Sequence, residues 1–323
     1  MIRAATLLTA LATAYPELTG APVLEFPLDC VLSQTCYIEG YVDLNLGNGI
    51  SDYRCGLKTR EGHKGTDIGL LSVQQMMRGV DVLAATAGKV RAIRDEVPDR
   101  PINDQNRSSV AGKECGNAVA LPHEDGWETR YCHLKNGSIR KRPGDIVQPG
   151  DVLGQVGMSG LSNFPHLHLS VSKDGQTVDP FVPETATGCS QDVQNGLWRA
   201  APAYSPAGLF AVGFSPNIPS FDNVKSGAAR LSELTTDSAE LVLYGYAFFA
   251  RTGDQMHFNI TGPNGFAIEH TQGIEKTQPH LFRAFGKRRP KAGWPRGQYR
   301  GIVTLWRDNH IVAVSQTDLA APP

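Results

Sequence analysis

Gly144-Asp-Ile-Val-Gln-Pro-Gly-Asp-Val-Leu-Gly154 decides the fold class of this chain. Gly144-Asp and Pro149-Gly-Asp are turn formers. They frame the apolar pairs Ile146-Val147 and Val152-Leu153, which are too short for a helical period. The stretch therefore predicts a compact β-meander. Working outward, Val80–Leu83, Gly88–Ile93, Asn117–Leu121 and Thr129–His133 read as further strands. Only the region of Ser72 to Arg78 suggests a helix. Downstream lies a stretch rich in Ala, Pro, Ser and Gly, read as a linker over 186–225. Beyond it the runs Glu240–Ala250, Gln255–Thr261, Gly297–Arg307 and His310–Thr317 alternate in polarity, with a turn at Gly262-Pro-Asn-Gly265. The expected fold class is mostly β. A compact antiparallel sheet domain over 51–185 is followed by a small β-sandwich of immunoglobulin-like type over 226–323.

Composition bounds the reading. A length of 323 residues fits two domains plus a leader rather than one core. Hydrophobic content of 41% with 20% charged residues argues for a packed globular protein. A net charge of -1 gives no reason to expect nucleic acid or an anionic membrane as the main partner. Met1-Ile-Arg followed by the apolar run Ala4–Ala14, with Ala12-Thr-Ala14 as a small-x-small site, resembles a secretory signal peptide over 1–20. No later stretch approaches the ~20 apolar residues that span a bilayer. Residues 21–50 are read as a segment that wraps the first domain.

The six cysteines contain no C-x-x-C pair, and an even number in an exported chain favours disulfides. One pair follows from strand register. If Leu121 pairs with Gly126 across a turn at 122–125, Cys115 stands opposite Cys132, at a separation a disulfide can bridge. Leader and cysteines together point to the periplasm or the outside of the cell.

Three segments carry chemistry: Gly62-His63-Lys64-Gly65-Thr66-Asp67, Tyr131-Cys132-His133-Leu134 and Pro165-His166-Leu167-His168. In a strand, His166 and His168 face one side, roughly 6.6 Å apart. His63 and Asp67 would lie about 13 Å apart on a straight strand, but the glycines at 62, 65 and 69 let the backbone curl and turn both inward. Each segment alone is also consistent with ordinary surface polar residues. Together, two His and one Asp make a three-ligand set that leaves one position of a zinc ion open. Such an ion lowers the pKa of a water towards about 7, and further histidines beside it can accept and return protons.

In order and spacing, His-x-x-x-Asp, Tyr-x-His-Leu, the glycine-rich run ending at Ser159-Gly160 and Pro-His-x-His resemble the lysostaphin-type (LytM-type) peptidoglycan endopeptidases over residues 51 to about 182. The resemblance implies a zinc metallopeptidase domain at 51–185. In it His63, Asp67 and His168 would hold one zinc ion, and His133 and His166 would be the catalytic histidines. It also implies peptidoglycan peptides as substrate, cut in cross-links or stem peptides. The segment before His166, Leu161-Ser-Asn-Phe164, departs from the family's frequent Ser-Thr-Gly, and a polar insert runs from Arg94 to Lys113. Tyr53 is read as a core tyrosine with a lesser chance of facing the reaction, and Asn117 as a candidate groove residue. His123, His257, His270, His280 and His310 have no ligand spacing. The C-terminal domain could take a regulatory protein partner. Two other readings compete. One is a catalytically inactive wall-binding activator of another hydrolase, which should lack ligands. The other is a biotinyl- or lipoyl-type carrier, which should present a lysine at a hairpin tip.

Overall fold

The computed structural model describes residues 20–183, 189, 196–235 and 237–322. The expected leader lies outside them, save Gly20. The first unit contains eleven strands among the described residues: β1 (Cys36–Gly40), β2 (Thr66–Leu70), β3 (Asp81–Leu83), β4 (Gly88–Lys89), β5 (Ala92–Arg94), β6 (Asn117–Pro122), β7 (Trp127–Leu134), β8 (Ile146–Val147), β9 (Val152–Gln155), β10 (His166–Lys173) and β11 (Gln176–Val178). Its main sheet is antiparallel in the order β1-β2-β10-β7-β6-β5, with β11 paired to β10. The meander predicted at 144–154 is present, but its strands leave the main sheet: β8 pairs with β4 and β9 with β3. The expected helix forms as α1 (Val73–Arg78), where the Ser72 side chain accepts from the Gln75 amide as an N-cap.

Residues 21–50 do more than wrap the first unit. Their β1 is an edge strand of the main sheet, so this segment shares the core through Cys36 and Ile38. Cys115 and Cys132 do form a disulfide, with Cα atoms 4.9 Å apart. The register that predicted it is wrong, however. Leu121 pairs with Thr129, not Gly126, and the ladder shifts between Asn117 and Val119. The pair meets because Cys115 lies before β6 and curls back, its carbonyl accepting from the His133 amide at 2.8 Å. Cys30–Cys36 and Cys55–Cys189 complete three disulfides.

The second unit has seven strands among the described residues: β12 (Gly208–Ser215), β13 (Glu240–Ala250), β14 (Gln255–Thr261), β15 (Ala267–Gly273), β16 (Gln278–Arg288), β17 (Gly297–Arg307) and β18 (His310–Ala321). They make two antiparallel sheets, β12-β13-β16 and β15-β14-β17-β18, which share one apolar core including Phe214, Leu243, Phe258 and Val303. The second sheet alternates as read: in β14, Met256, Phe258 and Ile260 are buried while Gln255 and Thr261 are exposed. The stretch read as linker contains β12 and, at its end, the start of a second helix, α2 (Phe221–Ser226). Its strand was missed because Gly208-Leu-Phe-Ala-Val-Gly-Phe-Ser215 is apolar on both faces and shows no alternation. Val212 and Phe214 enter the sandwich core, whereas Phe210 turns to the first unit.

The two units therefore share an aromatic seam. The Tyr37 ring lies 3.9 Å from the Phe210 ring and 5.2 Å from that of Phe248, centroid to centroid. The buried Lys58 amine donates to the Ser205 carbonyl at 2.6 Å and sits 4.4 Å over the Phe248 ring.

Candidate metal centre

The main sheet brings the site together by register. Across β2 and β10, Asp67 stands directly opposite His168, where paired side chains lie about 5 Å apart. His63 arrives from the turn before β2, where Gly62 adopts φ +67. Gly65 lets that turn close over β10. A Cβ there would lie 2.6 Å from His168 Nε2 and 2.7 Å from the Leu169 carbonyl oxygen.

One ligand atom from each of His63, Asp67 and His168 falls within 4.8 Å of the others. The His63 Nδ1–H donates to the Tyr41 carbonyl at 2.6 Å, which leaves the Nε2 lone pair facing inward. The His168 Nε2 is 2.9 Å from the Ser170 hydroxyl. Its Nδ1 faces Asp67 Oδ1 at 2.6 Å and His63 Nε2 at 3.2 Å. A carboxylate and two ring nitrogens at these distances repel unless a cation or proton lies among them. Among the described residues, the fixed positive charge on the group is Arg60, whose Nη1 is 2.6 Å from Asp67 Oδ2. Two nitrogens and one carboxylate oxygen, each steadied by a hydrogen bond on its far side, suit Zn²⁺. The residues present therefore fit that ion.

His133 and His166 flank this group, their ring centroids 4.6 Å apart. Each spends Nδ1–H on a backbone carbonyl: His133 on Ser159 at 2.7 Å, His166 on Phe164 at 2.8 Å. Both Nε2 atoms are thereby left as acceptors. His166 Nε2 is buried, lies 3.8 Å from Asp67 Oδ1 and has no hydrogen-bond partner. His133 adopts φ +62, an uncommon region for a residue with a Cβ.

Burial first, then the like charge of His166 and His168, hold the His133 imidazole well below its ordinary pKa. Burial also lowers His168, against the pull of Asp67. Burial pushes the Asp67 carboxyl up, but His63, Arg60 and the other histidines outweigh it and hold Asp67 well below the usual carboxylate range. The environment thus favours the ionised Asp67 carboxylate and the neutral His168 imidazole that a metal needs, with a neutral His133 beside them.

All five residues singled out in the sequence meet here. Tyr53 instead packs in the core, stacked on Phe181 at 4.6 Å. Asn117 is fully buried and braces Val97 and Leu134, so it lines no groove. Sequence reasoning missed Arg60 and Ser170. Ser170 carried a signal, because it lies two residues past His168 and so faces the same side of β10. Arg60 carried none.

Residues 61–180 match Peptidase family M23, and all five residues fall inside that range. The DD-carboxypeptidase/endopeptidase Mpg of Neisseria meningitidis serogroup B is 35% identical over 111 residues, covering 34% of this chain and 23% of the relative. The cell division protein DipM of Caulobacter vibrioides is 30% identical over 109 residues, covering 32% of this chain and 15% of the relative. The chain thus spans less than a quarter of the length of these curated relatives. A zinc-containing peptidase from Vibrio cholerae superposes with a TM-score of 0.33 at 22% identity, covering 49% of this chain and 39% of that one. The segment that folds around His63, Asp67 and His168 is therefore an M23 peptidase domain, of a zinc-dependent metallopeptidase family.

Proposed function

We propose that the protein is a zinc-dependent endopeptidase that hydrolyses peptide bonds in peptidoglycan cross-links or stem peptides. The observation that carries this reading is the convergence of His63, Asp67 and His168 beside two further histidines, each with Nδ1 on a backbone carbonyl and Nε2 left to accept a proton. His63 Nε2, an Asp67 oxygen and His168 Nδ1 would hold one zinc ion. When bound, the ion supplies a Lewis acid and makes a nearby water acidic enough to react near neutral pH.

The chain's own residues do the rest. His133 and His166 orient the attacking water and take its proton at Nε2. Once protonated, the same atoms stabilise the oxyanion and return a proton to the leaving amine. The carbonyls of Ser159 and Phe164 fix both tautomers throughout. Arg60 holds Asp67 ionised and in place.

Three disulfides support an oxidising compartment, periplasmic or extracellular. No helix among the described residues is long and apolar enough to cross a membrane. Strand order in the second unit supports an immunoglobulin-like reading: it differs from the constant-domain arrangement by one edge strand, which pairs here with β14 rather than β16.

The inactive-activator reading predicts missing ligands, and all three are present. Digestion of purified peptidoglycan, with mass analysis of the fragments, tests the proposal. The zinc-loaded protein should release new peptide ends, and His168→Ala should reduce that release by more than the roughly 10²–10³-fold that one oxyanion donor is worth. Identical fragments from both proteins would refute the assignment. A zinc-loaded wild type that releases none would favour the activator.

A further inference from the structure

The second unit approaches the metal centre through one chain of half-buried and buried groups. His280 on β16 places Nε2 3.0 Å from Glu39 Oε1 and Nδ1 2.9 Å from the Tyr246 hydroxyl. Its Nε2–H donates to the carboxylate, and Nδ1 accepts from the tyrosine. Glu39 belongs to the first unit. It is the extra residue of a bulge in β1, between Ile38 and Gly40. A bulge re-aims a side chain, and this one aims Glu39 across the seam.

Phe164 sits in the cage so formed. It is 2% exposed, and its ring meets His280 edge-on at 5.8 Å and Tyr246 edge-on at 6.5 Å. Its carbonyl is the atom that accepts the His166 Nδ1–H. Phe164 precedes β10, so no strand pairing holds that carbonyl in place. The Ser162 hydroxyl donates to the same oxygen at 2.8 Å and lies 3.3 Å from His166 Nδ1, and the Leu70 amide holds the next carbonyl, Pro165, at 3.0 Å; the packing of the ring is the remaining hold on the Phe164 carbonyl.

We propose that His280 is a positioning residue for His166. By bridging Glu39 and Tyr246 it clamps the Phe164 ring, and the Phe164 carbonyl then fixes the His166 imidazole with Nε2 facing the metal group. The second unit is on this reading a structural part of the reaction centre, and Phe164, where the chain departs from the commoner Ser-Thr-Gly, is the contact through which it acts. The inference rests on the proposed function only for the proton transfers assigned to His166.

The test uses the full zinc-loaded chain. His280→Ala removes the bridge, and His280→Gln keeps a side chain able to donate to Glu39. The His166 ring N–H is followed by NMR, assigned by its disappearance in His166→Ala. Zinc content and thermal unfolding are measured alongside. His280→Ala should keep its zinc, broaden or shift the His166 ring N–H, and lower kcat on a soluble wall peptide by roughly ten- to a hundredfold with little change in KM. His280→Gln should recover part of both. A folded His280→Ala protein with an unchanged His166 signal and wild-type kcat would overturn the proposal. So would loss of zinc or of folding in His280→Ala together with an unaltered His166 signal and wild-type kcat in Tyr246→Phe, which removes the hydroxyl that holds His280 Nδ1. If the wild type cleaves nothing, the peptidase reading falls alone, because the ring N–H still reports whether His280 positions His166.

Discussion

The two units are built from the same antiparallel β pairing and use it in opposite ways. In the second, strands run 7 to 12 residues, and its outer sheet keeps one face dry and one wet. In the first, strands run 2 to 8 residues; ladders shift in both units, but here the shifts fall beside Glu39 and between Asn117 and Val119, close to the site. Most of the buried polar side chains also lie in the first unit: Asp52, Lys58, His63, Asp67, Asn117, His133, His166 and Asp179 against a few such as Asp254 and Ser215 in the second. A regular ladder places side chains every second residue and cannot gather five polar groups around one point. Curled turns, bulges and a positive φ at His133 can.

That contrast can be broken by experiment. The largest effect is expected from Phe258→Ala, which opens a cavity in the sandwich core and should cost about 3–5 kcal/mol. Calorimetry should show a lower melting temperature while zinc affinity at 25 °C stays unchanged; a matching loss of zinc would mean that the units do not divide the work. Cys115→Ser with Cys132→Ser should cost about 3 kcal/mol for a loop of this length. Because Cys115 also holds the His133 amide, peptidase activity at a temperature where the protein is folded should fall as well. Unchanged activity would show that β7 needs no brace.

Ser170→Ala should sharpen the same comparison from the other side. Loss of the hydroxyl at His168 Nε2 should weaken zinc binding by about 10–100-fold, measured by competition with a chelator, while the metal-free protein melts as before. The smallest effect is expected at the seam. Burial lowers the Lys58 pKa from 10.5 to about 7. Between those values the unfolded chain binds a proton that the folded chain does not, so stability from this group rises with pH across that window and is least below it. Lys58→Met should remove this rise. The melting temperature of Lys58→Met minus wild type should therefore be most positive near neutral pH and shrink towards pH 10. A constant difference would show that the amine is not desolvated at the seam.

The sandwich strands and the five site residues were legible for the same reason: each is a local pattern. Alternation in Gln255–Thr261 and the spacing His166-x-His168 need only the two-residue repeat of a strand. The strand Gly208–Ser215 was not legible, because it is covered on one face by its own sheet partner's core and on the other by the first unit, and so reads as uniformly apolar. The disulfide was found through a register that the ladder does not adopt, because a shift at Asn117 has no signature in the residues themselves.

His280 makes the same point for the reaction centre. In the sequence it is one of four C-terminal histidines without ligand spacing, and only docking of the second unit puts it against Glu39 and Phe164. The sequence by itself determined the strand content, the three chemical segments and the types of group they offer to a metal. Tertiary structure alone decided which ring nitrogens face inward, that Arg60 and Ser170 reach Asp67 and His168, and that the second unit packs against Glu39 and Phe164. The physical reason is range: strand period and turn chemistry are set within a few residues, whereas the Tyr41 and Ser159 carbonyls that fix the His63 and His133 tautomers arrive from 22 and 26 residues away, and His280 meets Glu39 from 241 residues away.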